Sequence, residues 1–397
     1  MIQRKVLKNG MTVVFKQRKN EVISVAFAVR FGAMNETKEN KGIAHFIEHM
    51  LYKGTPSRNA QQISIEIERN GGELNGFTAE QVTAYWCRMP SKHINIALEV
   101  LGDMVSNPKF DPKELDKERQ VIFEEMKMYK DNPRMHVFEK IKNNLYKRDF
   151  AMPIIGTEDS MIRNTRDELK KLFDQIYVPE NMILCVVGDT DFNKLCAFVE
   201  LNFKKSGQKA SYPKIELRNN TEIEKRKNID QANVVFAYHI PLPSDEKMHY
   251  AAQVLNTLMA GGMSSRLFSE IREKRNMAYA VKGDTASEGN YAYNQIYIGT
   301  TPENVEKVKK LILEEFEKVS KELKEDELKQ VKEQIIGNYL ISLEDSHNIL
   351  LMLLTSEIEG DAHNMEKVVD NVKAVKLEDV KKLAKIKDYS FFALIPE

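Results

Sequence analysis

The chain of 397 residues carries one order of predicted secondary structure twice, and this repeat limits the folds open to it. The residues Asp111-Pro112-Lys113-Glu114-Leu115 before one long helix resemble Lys324-Glu325-Asp326-Glu327-Leu328 before another. Both halves also end with an apolar strand. A chain of this length exceeds one ordinary domain of roughly 150 residues. We therefore predict an α+β protein made of two homologous sandwich-like repeats, each with an antiparallel or mixed sheet packed with helices.

A polar segment with Gly207 and Pro213 separates the halves. It predicts a linker at 206–224 between a domain at 1–205 and a domain at 225–397. Period-two alternation and apolar runs predict the strands, at 3–8, 11–16, 22–32, within 73–89, 182–189, 231–240, 278–284, 290–299 and 390–396. Helical periodicity and capping signals predict the helices, at 41–52, 59–70, 112–129, 134–146, 165–176, 191–203, 246–259, 264–275, 302–321 and 325–358.

Composition excludes several classes of protein. The chain has 59 basic and 59 acidic residues, so no basic excess is available for phosphates, and we expect no nucleic-acid partner. No stretch approaches the ~20 apolar residues of a membrane helix, and the first residues lack a signal-peptide pattern. We expect a cytoplasmic protein without a membrane partner. The three cysteines form no CxxC pair, which predicts reduced, structural thiols.

The segment GIAHFIEHM at 42–50 carries the strongest chemical signal. His45 and His49 are four residues apart on a predicted helix, so both imidazoles project from one face, as two ligands of one zinc ion require. Glu48 borders that face, where a carboxylate can serve as the general base toward a water molecule. This order matches the inverted HxxEH pattern of zinc peptidases.

A zinc site of this kind needs a third protein ligand and one open position. The helix at 112–129 offers Glu118, Glu124 and Glu125. Glu118 and Glu125 are seven residues apart and share a face, whereas Glu124 is turned away by about 100°. Helix geometry leaves either of the two as the ligand, with the other placed to orient a histidine.

Four segments resemble the pitrilysin/insulinase metallopeptidases, the inverzincins, and most closely their processing-peptidase branch. They are GIAHFIEHMLYKGT (42–55), NGGELNGFTAEQVTAYW (70–86), KERQVIFEEMKMYKDNP (117–133) and AGGMSSRLFSEIREKRNMAYAV (260–281). In that family the third ligand follows the second histidine by about 76 residues, which implies Glu125 here. Glu118 matches the family's second glutamate, which supports the site. One Zn²⁺ per chain is implied.

The resemblance also implies substrate-binding residues. Arg272 and Tyr279 match an arginine and a tyrosine that hold the substrate near the scissile bond, and Tyr279 would stabilise the oxyanion. Asn75, Phe77 and Glu80 match the family's motif for a strand to which an extended peptide adds, which implies substrate binding at Asn75, Gly76 and Phe77. The family more often has Ala where this chain has Gly76, a departure expected to loosen that strand.

The implied function is a zinc-dependent endopeptidase that cuts short or unfolded peptides by attack of water, with Glu48 as general base. The second half has no HxxEH, and chains of this length resemble half of the longer insulinase clamshell. The resemblance therefore implies a dimer enclosing a chamber, in which Arg272 and Tyr279 serve the partner's zinc. Because one chain keeps both sets of residues, a homodimer is favoured over a heterodimer with a related chain. The alternative is a non-catalytic scaffold or partner subunit, and its ligand set would be degenerate.

Overall fold

The computed structural model describes residues 1–397, which form two sheets and a set of helices. The strands are β1 (Ile2–Val6), β2 (Thr12–Gln17), β3 (Val22–Val29), β4 (Glu73–Thr78), β5 (Thr83–Pro90), β6 (Met182–Gly188), β7 (Thr221–Arg226), β8 (Ala232–His239), β9 (Ala278–Glu288), β10 (Tyr291–Thr300) and β11 (Ser390–Pro396).

The α-helices are numbered in chain order. They are α1 (Ile43–Leu51), α2 (Ala60–Glu68), α3 (Ile94–Ser106), α4 (Pro112–Asp131), α5 (Pro133–Leu145), α6 (Glu158–Arg163), α7 (Arg166–Ile176), α8 (Phe192–Asn202), α9 (Glu246–Ala260), α10 (Val305–Glu322), α11 (Glu325–Ser342), α12 (Ser346–Glu359), α13 (Val368–Ala374) and α14 (Leu377–Leu383). None of them combines the length and the apolar character that crossing a bilayer requires.

The first compact unit contains Met1–Met126, Pro153–Lys214 and Ser342–Met365. Its sheet has the strand order β1-β2-β6-β3-β5-β4, and only the pair β2–β6 is parallel. The central strands β3 and β6 are almost wholly apolar and buried, because helices α3 and α12 pack against the sheet. Strand β4 is an edge strand, and α1 packs against β4 and β5.

The second unit contains Lys127–Met152, Ile215–Ile341 and Glu366–Glu397. Its sheet has the strand order β7-β11-β8-β10-β9, with only β7 and β11 parallel. Helix α5 packs against β8 and β11, and α9 packs against β9 and β10. Each unit is therefore a mixed sheet packed with helices, as the repeat predicts.

The two units are not consecutive stretches of the chain. Helix α12 follows the second sheet's strands β7–β10 in sequence yet packs on β3 and β6 of the first sheet. Glu357 on α12 has a fully buried carboxylate that pairs with Arg4 and Arg30, each at 2.7 Å. Conversely, α5 lies in the second unit, where the Asn144 amide donates to the Phe391 carbonyl at 3.1 Å. The predicted boundaries 1–205 and 225–397 do not include this arrangement, in which residues 342–365 belong to the first unit and residues 127–152 to the second.

Most predicted elements are present, and the differences have local causes. The predicted helix at 325–358 is two helices, because Asp345 accepts hydrogen bonds from the amides of His347 and Asn348 and starts α12. The segment 264–275 contains a π-helix at Phe268–Glu273. The last residues of the predicted linker form the start of β7, an edge strand. Its sequence TEIEKR is almost wholly polar, so it lacks the alternation of apolar and polar residues that predicts a strand. Four helices were not predicted, namely α3, α6, α13 and α14. All three cysteines are free and buried, as predicted.

A buried ion pair fixes the start of α1. The Glu36 carboxylate accepts hydrogen bonds from the amides of Gly42 and Ala44 at 2.9 and 2.8 Å, at the positive end of the helix dipole. Lys41 lies 3.5 Å from Glu36 and donates to the Ala33 carbonyl at 2.6 Å, and both charged side chains are fully buried. Burial raises the pKa of Glu36 to about 7, against the opposing effect of Lys41 and the two amides.

Replacing Lys41 with Met should destabilise the protein by about 3–5 kcal/mol, because a buried carboxylate loses its partner. The raised pKa of Glu36 sets the pH dependence. Glu36 is protonated below its folded pKa, so the loss should be smaller at pH 6 than at pH 8. Urea unfolding at both pH values measures this loss. Lys38→Met, at an exposed position three residues away, is the control. Equal unfolding midpoints for the two variants would refute the role of the pair.

Candidate metal centre

Helix α1 presents His45 and His49 on one face, as their spacing predicts. Their ring centroids are 4.6 Å apart, and their side chains are only 13% and 20% exposed. Gly42 precedes the helix with φ +85°, a conformation that suits glycine, and a Cβ there would lie 2.5 Å from the Ile155 carbonyl oxygen. The start of α1 is therefore fixed by Gly42 and by the buried Glu36–Lys41 pair.

Helix α4 brings Glu125 to the two histidines. One carboxylate oxygen, Oε2, lies 3.7 Å from His45 Nε2 and 3.6 Å from His49 Nε2. One donor atom from each of the three residues lies within 4.8 Å of the others. Two imidazole nitrogens and one carboxylate oxygen are a donor set that suits zinc and leaves a fourth position open. The residues present therefore fit the ion that the sequence predicts.

Glu118 has a different position from Glu125. Its Oε2 lies 3.1 Å from His49 Nδ1, on the side of the ring away from the shared Nε2 position. Its other oxygen forms a 2.6 Å ion pair with Lys53. With a metal on Nε2, His49 would donate its Nδ1 proton to Glu118, which fixes the tautomer and the ring orientation. Of the two carboxylates that helix geometry allowed, the structure brings Glu125 to both histidines and places Glu118 behind one.

The charges of the four groups differ before any metal binds. Burial, and next the charge of His49, lower the pKa of His45 to about 4, so His45 is neutral. Burial also acts to lower the pKa of His49, but hydrogen bonds to Glu118 and Glu125 outweigh it and raise the value to about 9. The pKa values of both glutamates are lowered, so both are ionised at neutral pH. A cation must therefore displace a proton from His49.

Glu48 lies beside the three candidate ligands without being one of them. Glu48 is 9% exposed, and its Oε2 accepts a 2.6 Å hydrogen bond from the Thr78 hydroxyl. Burial raises the pKa of Glu48, while the hydrogen bond from Thr78 acts to lower it. A carboxylate with a raised pKa is better suited to accept a proton near neutral pH.

Strand β4, which carries Asn75, Gly76 and Phe77, runs past Glu48. A Cβ built on Gly76 would lie 2.5 Å from the Tyr52 hydroxyl, 2.8 Å from the Ala84 carbonyl and 3.3 Å from Glu48 Oε1. The glycine thus leaves space for the tyrosine hydroxyl. It does not interrupt the strand, because β4 pairs with β5 along all of Glu73–Thr78. The Asn75 side chain accepts from the Gly76 amide at 2.8 Å.

Arg272 and Tyr279 belong to the second unit. Arg272 lies on the π-helix, with its guanidinium 4.9 Å from the centre of the Phe268 ring. Tyr279 lies on β9 and is 48% exposed, with its hydroxyl 3.2 Å from that of Tyr297. Its ring covers Gly299 on β10, where a Cβ would approach the ring to 2.1 Å.

Three residues near the candidate ligands were not predicted from sequence, namely Tyr52, Lys53 and Thr78. Lys53 follows His49 by four residues, a spacing that places both side chains on one side of the helix end. Thr78 follows Gly76 by two residues on one strand, so both face the same way. These spacings are visible in the sequence, but the contacts of Lys53 with Glu118 and of Thr78 with Glu48 join different elements and are not.

Metal retention should separate the glutamates of α4. Glu125→Gln should lose most of its zinc, because a ligand is removed, and Glu118→Gln should bind zinc about 10–100-fold more weakly, because His49 loses its hydrogen-bond partner. Glu124→Gln, at the exposed neighbouring position, is the control and should match the wild type. Competition with a chromogenic chelator measures all three affinities. Retained affinity in Glu125→Gln, or complete loss in Glu124→Gln, would overturn the assignment.

Two family models together match most of the chain. Residues 12–158 match the family model described as insulinase (peptidase family M16), and residues 163–335 match the model described as the peptidase M16 inactive domain. The chain is 30% identical over its whole length to an uncharacterised zinc protease, YmxG, of Bacillus subtilis, and it covers 98% of that protein.

Two solved structures share the fold over the whole chain. One is a protease from Helicobacter pylori, with a TM-score of 0.93, 24% identity and full coverage of both chains. The other is described as a peptidase M16 inactive domain from Pseudomonas fluorescens, with a TM-score of 0.90, 19% identity and 98% coverage of that chain. Both architectures correspond to the two mixed sheets described above. The chain belongs to the insulinase, or M16, family of zinc peptidases.

Proposed function

We propose that this chain is a zinc-dependent endopeptidase that hydrolyses short or unfolded peptides, with Glu48 as the general base. The observation that carries the proposal is the convergence of His45, His49 and Glu125, whose donor atoms lie within 4.8 Å of one another beside the buried carboxylate of Glu48. Family membership alone does not decide activity, because the M16 family includes domains described as inactive.

The chain's own residues have separate tasks in this reaction. A bound zinc ion supplies Lewis-acid chemistry, which polarises the scissile carbonyl and acidifies water. Glu48 accepts a proton at its carboxylate and later delivers it to the leaving amine. Glu118 holds the ring of His49 through Nδ1, and Lys53 neutralises the far oxygen of Glu118. These contacts orient one of the three candidate ligands, His49.

The substrate is proposed to bind along β4. This strand is at the sheet edge, so its outer hydrogen-bonding groups are available to an extended peptide. Gly76 brings the peptide backbone close to the reacting groups, because its missing Cβ would lie 3.3 Å from Glu48 Oε1. A peptide that adds beside Asn75, Gly76 and Phe77 would therefore pass Glu48. This binding mode favours unfolded segments, since a folded protein cannot present a free strand.

Arg272 and Tyr279 are proposed to complete the site in a homodimer that encloses a chamber. Tyr279 has a half-exposed ring and a hydroxyl that can donate to an oxyanion. Arg272 carries a guanidinium suited to peptide carbonyls. In the proposed dimer, both residues serve the zinc site of the partner chain. The alternative, a non-catalytic subunit, is disfavoured by the intact set of His45, His49, Glu125 and Glu48.

Glu48→Gln should abolish peptide hydrolysis while zinc stays bound, because glutamine keeps the shape but cannot accept the proton. A quenched fluorescent peptide measures hydrolysis, and elemental analysis measures zinc. Glu68→Gln, at an exposed position on α2, is the control for a lost surface charge. We expect a loss of at least about 100-fold for Glu48→Gln alone. Wild-type turnover by this variant would exclude Glu48 as the base.

A mixture of two inactive variants tests the shared site. One chain carries Arg272→Ala and Tyr279→Phe, and the other carries Glu48→Gln. In a mixed dimer, one site combines an intact zinc centre with the intact arginine and tyrosine of its partner, so part of the activity should return. Two tags and tandem purification isolate the mixed dimer, and each variant alone is the control. Absence of activity in the purified mixed dimer would mean that each chain completes its own site.

A further inference from the structure

We propose that Thr78 and Tyr52 are positioning residues for the Glu48 carboxylate: Thr78 holds one oxygen by a hydrogen bond, and the Tyr52 hydroxyl serves the other oxygen when the carboxylate turns toward it. The proposal rests on the proposed function, in which Glu48 is the general base. It assigns a task to two side chains that belong to neither the candidate metal ligands nor the proposed peptide-binding contacts.

The hydrogen bond from Thr78 to Glu48 is short and partly buried. Its 2.6 Å length is typical of a hydroxyl that donates to a charged carboxylate, a strong class of hydrogen bond. Such a bond selects one rotamer of Glu48 among those that a flexible three-torsion side chain can adopt. The orientation of the proposed base therefore depends on where Thr78 is held.

The sheet holds Thr78 firmly. Thr78 is the last residue of β4 and pairs with Thr83 on β5. The turn that follows is closed by a 2.8 Å hydrogen bond from the Ala79 amide to the Val82 carbonyl. The Ala79 carbonyl in turn accepts from the Ala33 amide at 3.0 Å. The backbone that carries the Thr78 hydroxyl is thus fixed by the pairing with Thr83 and by the two hydrogen bonds of Ala79, as a positioning group requires.

Tyr52 has the only hydroxyl of its aromatic cluster that lacks a partner. The cluster contains Tyr52, Tyr85 and Tyr177, and the hydroxyls of Tyr85 and Tyr177 bond to each other at 2.8 Å. The Tyr52 hydroxyl is buried without a hydrogen bond. A buried hydroxyl without a hydrogen-bond partner lowers the stability of the fold. Its presence therefore points to a role in the function of the protein.

The nearest use lies at Gly76. A Cβ built on Gly76 would lie 2.5 Å from the Tyr52 hydroxyl oxygen and 3.3 Å from Glu48 Oε1. The hydroxyl and the carboxylate oxygen that Thr78 does not bind therefore both border the space that glycine leaves open at position 76. In the proposal, Glu48 turns toward this space and gives the Tyr52 hydroxyl an acceptor. Gly76 and Thr78 are two residues apart on β4 and lie on the same face of the strand. The strand proposed to bind the peptide therefore also holds the base.

Thr78→Val and Thr78→Ser form a matched pair in the zinc-loaded enzyme. Valine keeps the branched shape without the hydroxyl, whereas serine keeps the hydroxyl. Thr78→Val should lower kcat about 10–100-fold, at or below the lower end of the roughly 10²–10⁴-fold that a positioned general base contributes, with KM and zinc content changed less than about twofold. Thr78→Ser should retain most of kcat. Equal kcat for Thr78→Val and the wild type, or equal losses for both variants, would overturn the role of Thr78.

Crystal structures of metal-free Thr78→Val and Thr78→Ser give a readout that needs no activity. We expect Glu48 in a changed or split rotamer in the valine variant and in the wild-type rotamer in the serine variant. An unchanged Glu48 in Thr78→Val would contradict the positioning role. If the wild type hydrolyses no peptide, the proposed function fails, and these structures still test the positioning.

A double-mutant cycle tests Tyr52. Tyr52→Phe should lower kcat with KM unchanged, and Gly76→Ala should cost less in the Tyr52→Phe background than in the wild type. The new Cβ then meets no hydroxyl, although the contact with the Ala84 carbonyl remains. Non-additivity of at least about threefold in kcat is expected for side chains in contact. Strict additivity, or an unchanged kcat in Tyr52→Phe, would remove Tyr52 from the proposal.

Discussion

The hydrogen bond between Glu118 and the His49 ring is the contact on which the candidate metal centre depends. It joins α4 to α1 at 3.1 Å and sets the register between the two helices. Glu125 lies seven residues further along α4, two helical turns on, so the same register brings its carboxylate to both Nε2 atoms. Lys53 balances the charge of Glu118. Without this register, two histidines on α1 would offer only half of a zinc site.

The arrangement of charges explains how one small region provides both metal ligands and a base. Burial acts to raise the pKa of Glu118, but its contacts with His49 and Lys53 outweigh this effect, and the hydrogen bond with His49 lowers the pKa of Glu125, so both carboxylates stay ionised. Glu48 accepts its hydrogen bond from the neutral hydroxyl of Thr78, and burial raises its pKa, which favours proton transfer. Three carboxylates close in space to two histidines thus have different tasks, because their hydrogen-bond partners differ. Edge strand β4 links this region to the proposed peptide path through Gly76 and Thr78.

The sequence was sufficient for features that depend on local periodicity. The four-residue spacing of His45 and His49 and the shared helix face of Glu118 and Glu125 follow from helix geometry, and the repeat predicts two mixed sheets. Contacts between distant elements could not be predicted in this way. The choice of Glu125 needed distances or family spacing, and Thr78 contacts Glu48 across thirty residues. The exchange of α12 into the first unit depends on which apolar faces match in three dimensions.

Anomalous diffraction at the zinc absorption edge, on crystals of the wild-type chain grown with zinc, tests the central claim most directly. We expect one peak per chain, within about 2.0–2.2 Å of His45 Nε2, His49 Nε2 and a Glu125 oxygen, with Glu118 bonded to His49 Nδ1. A peak elsewhere, a peak bound by Glu118 in place of Glu125, or an empty position between the two histidines would contradict the account.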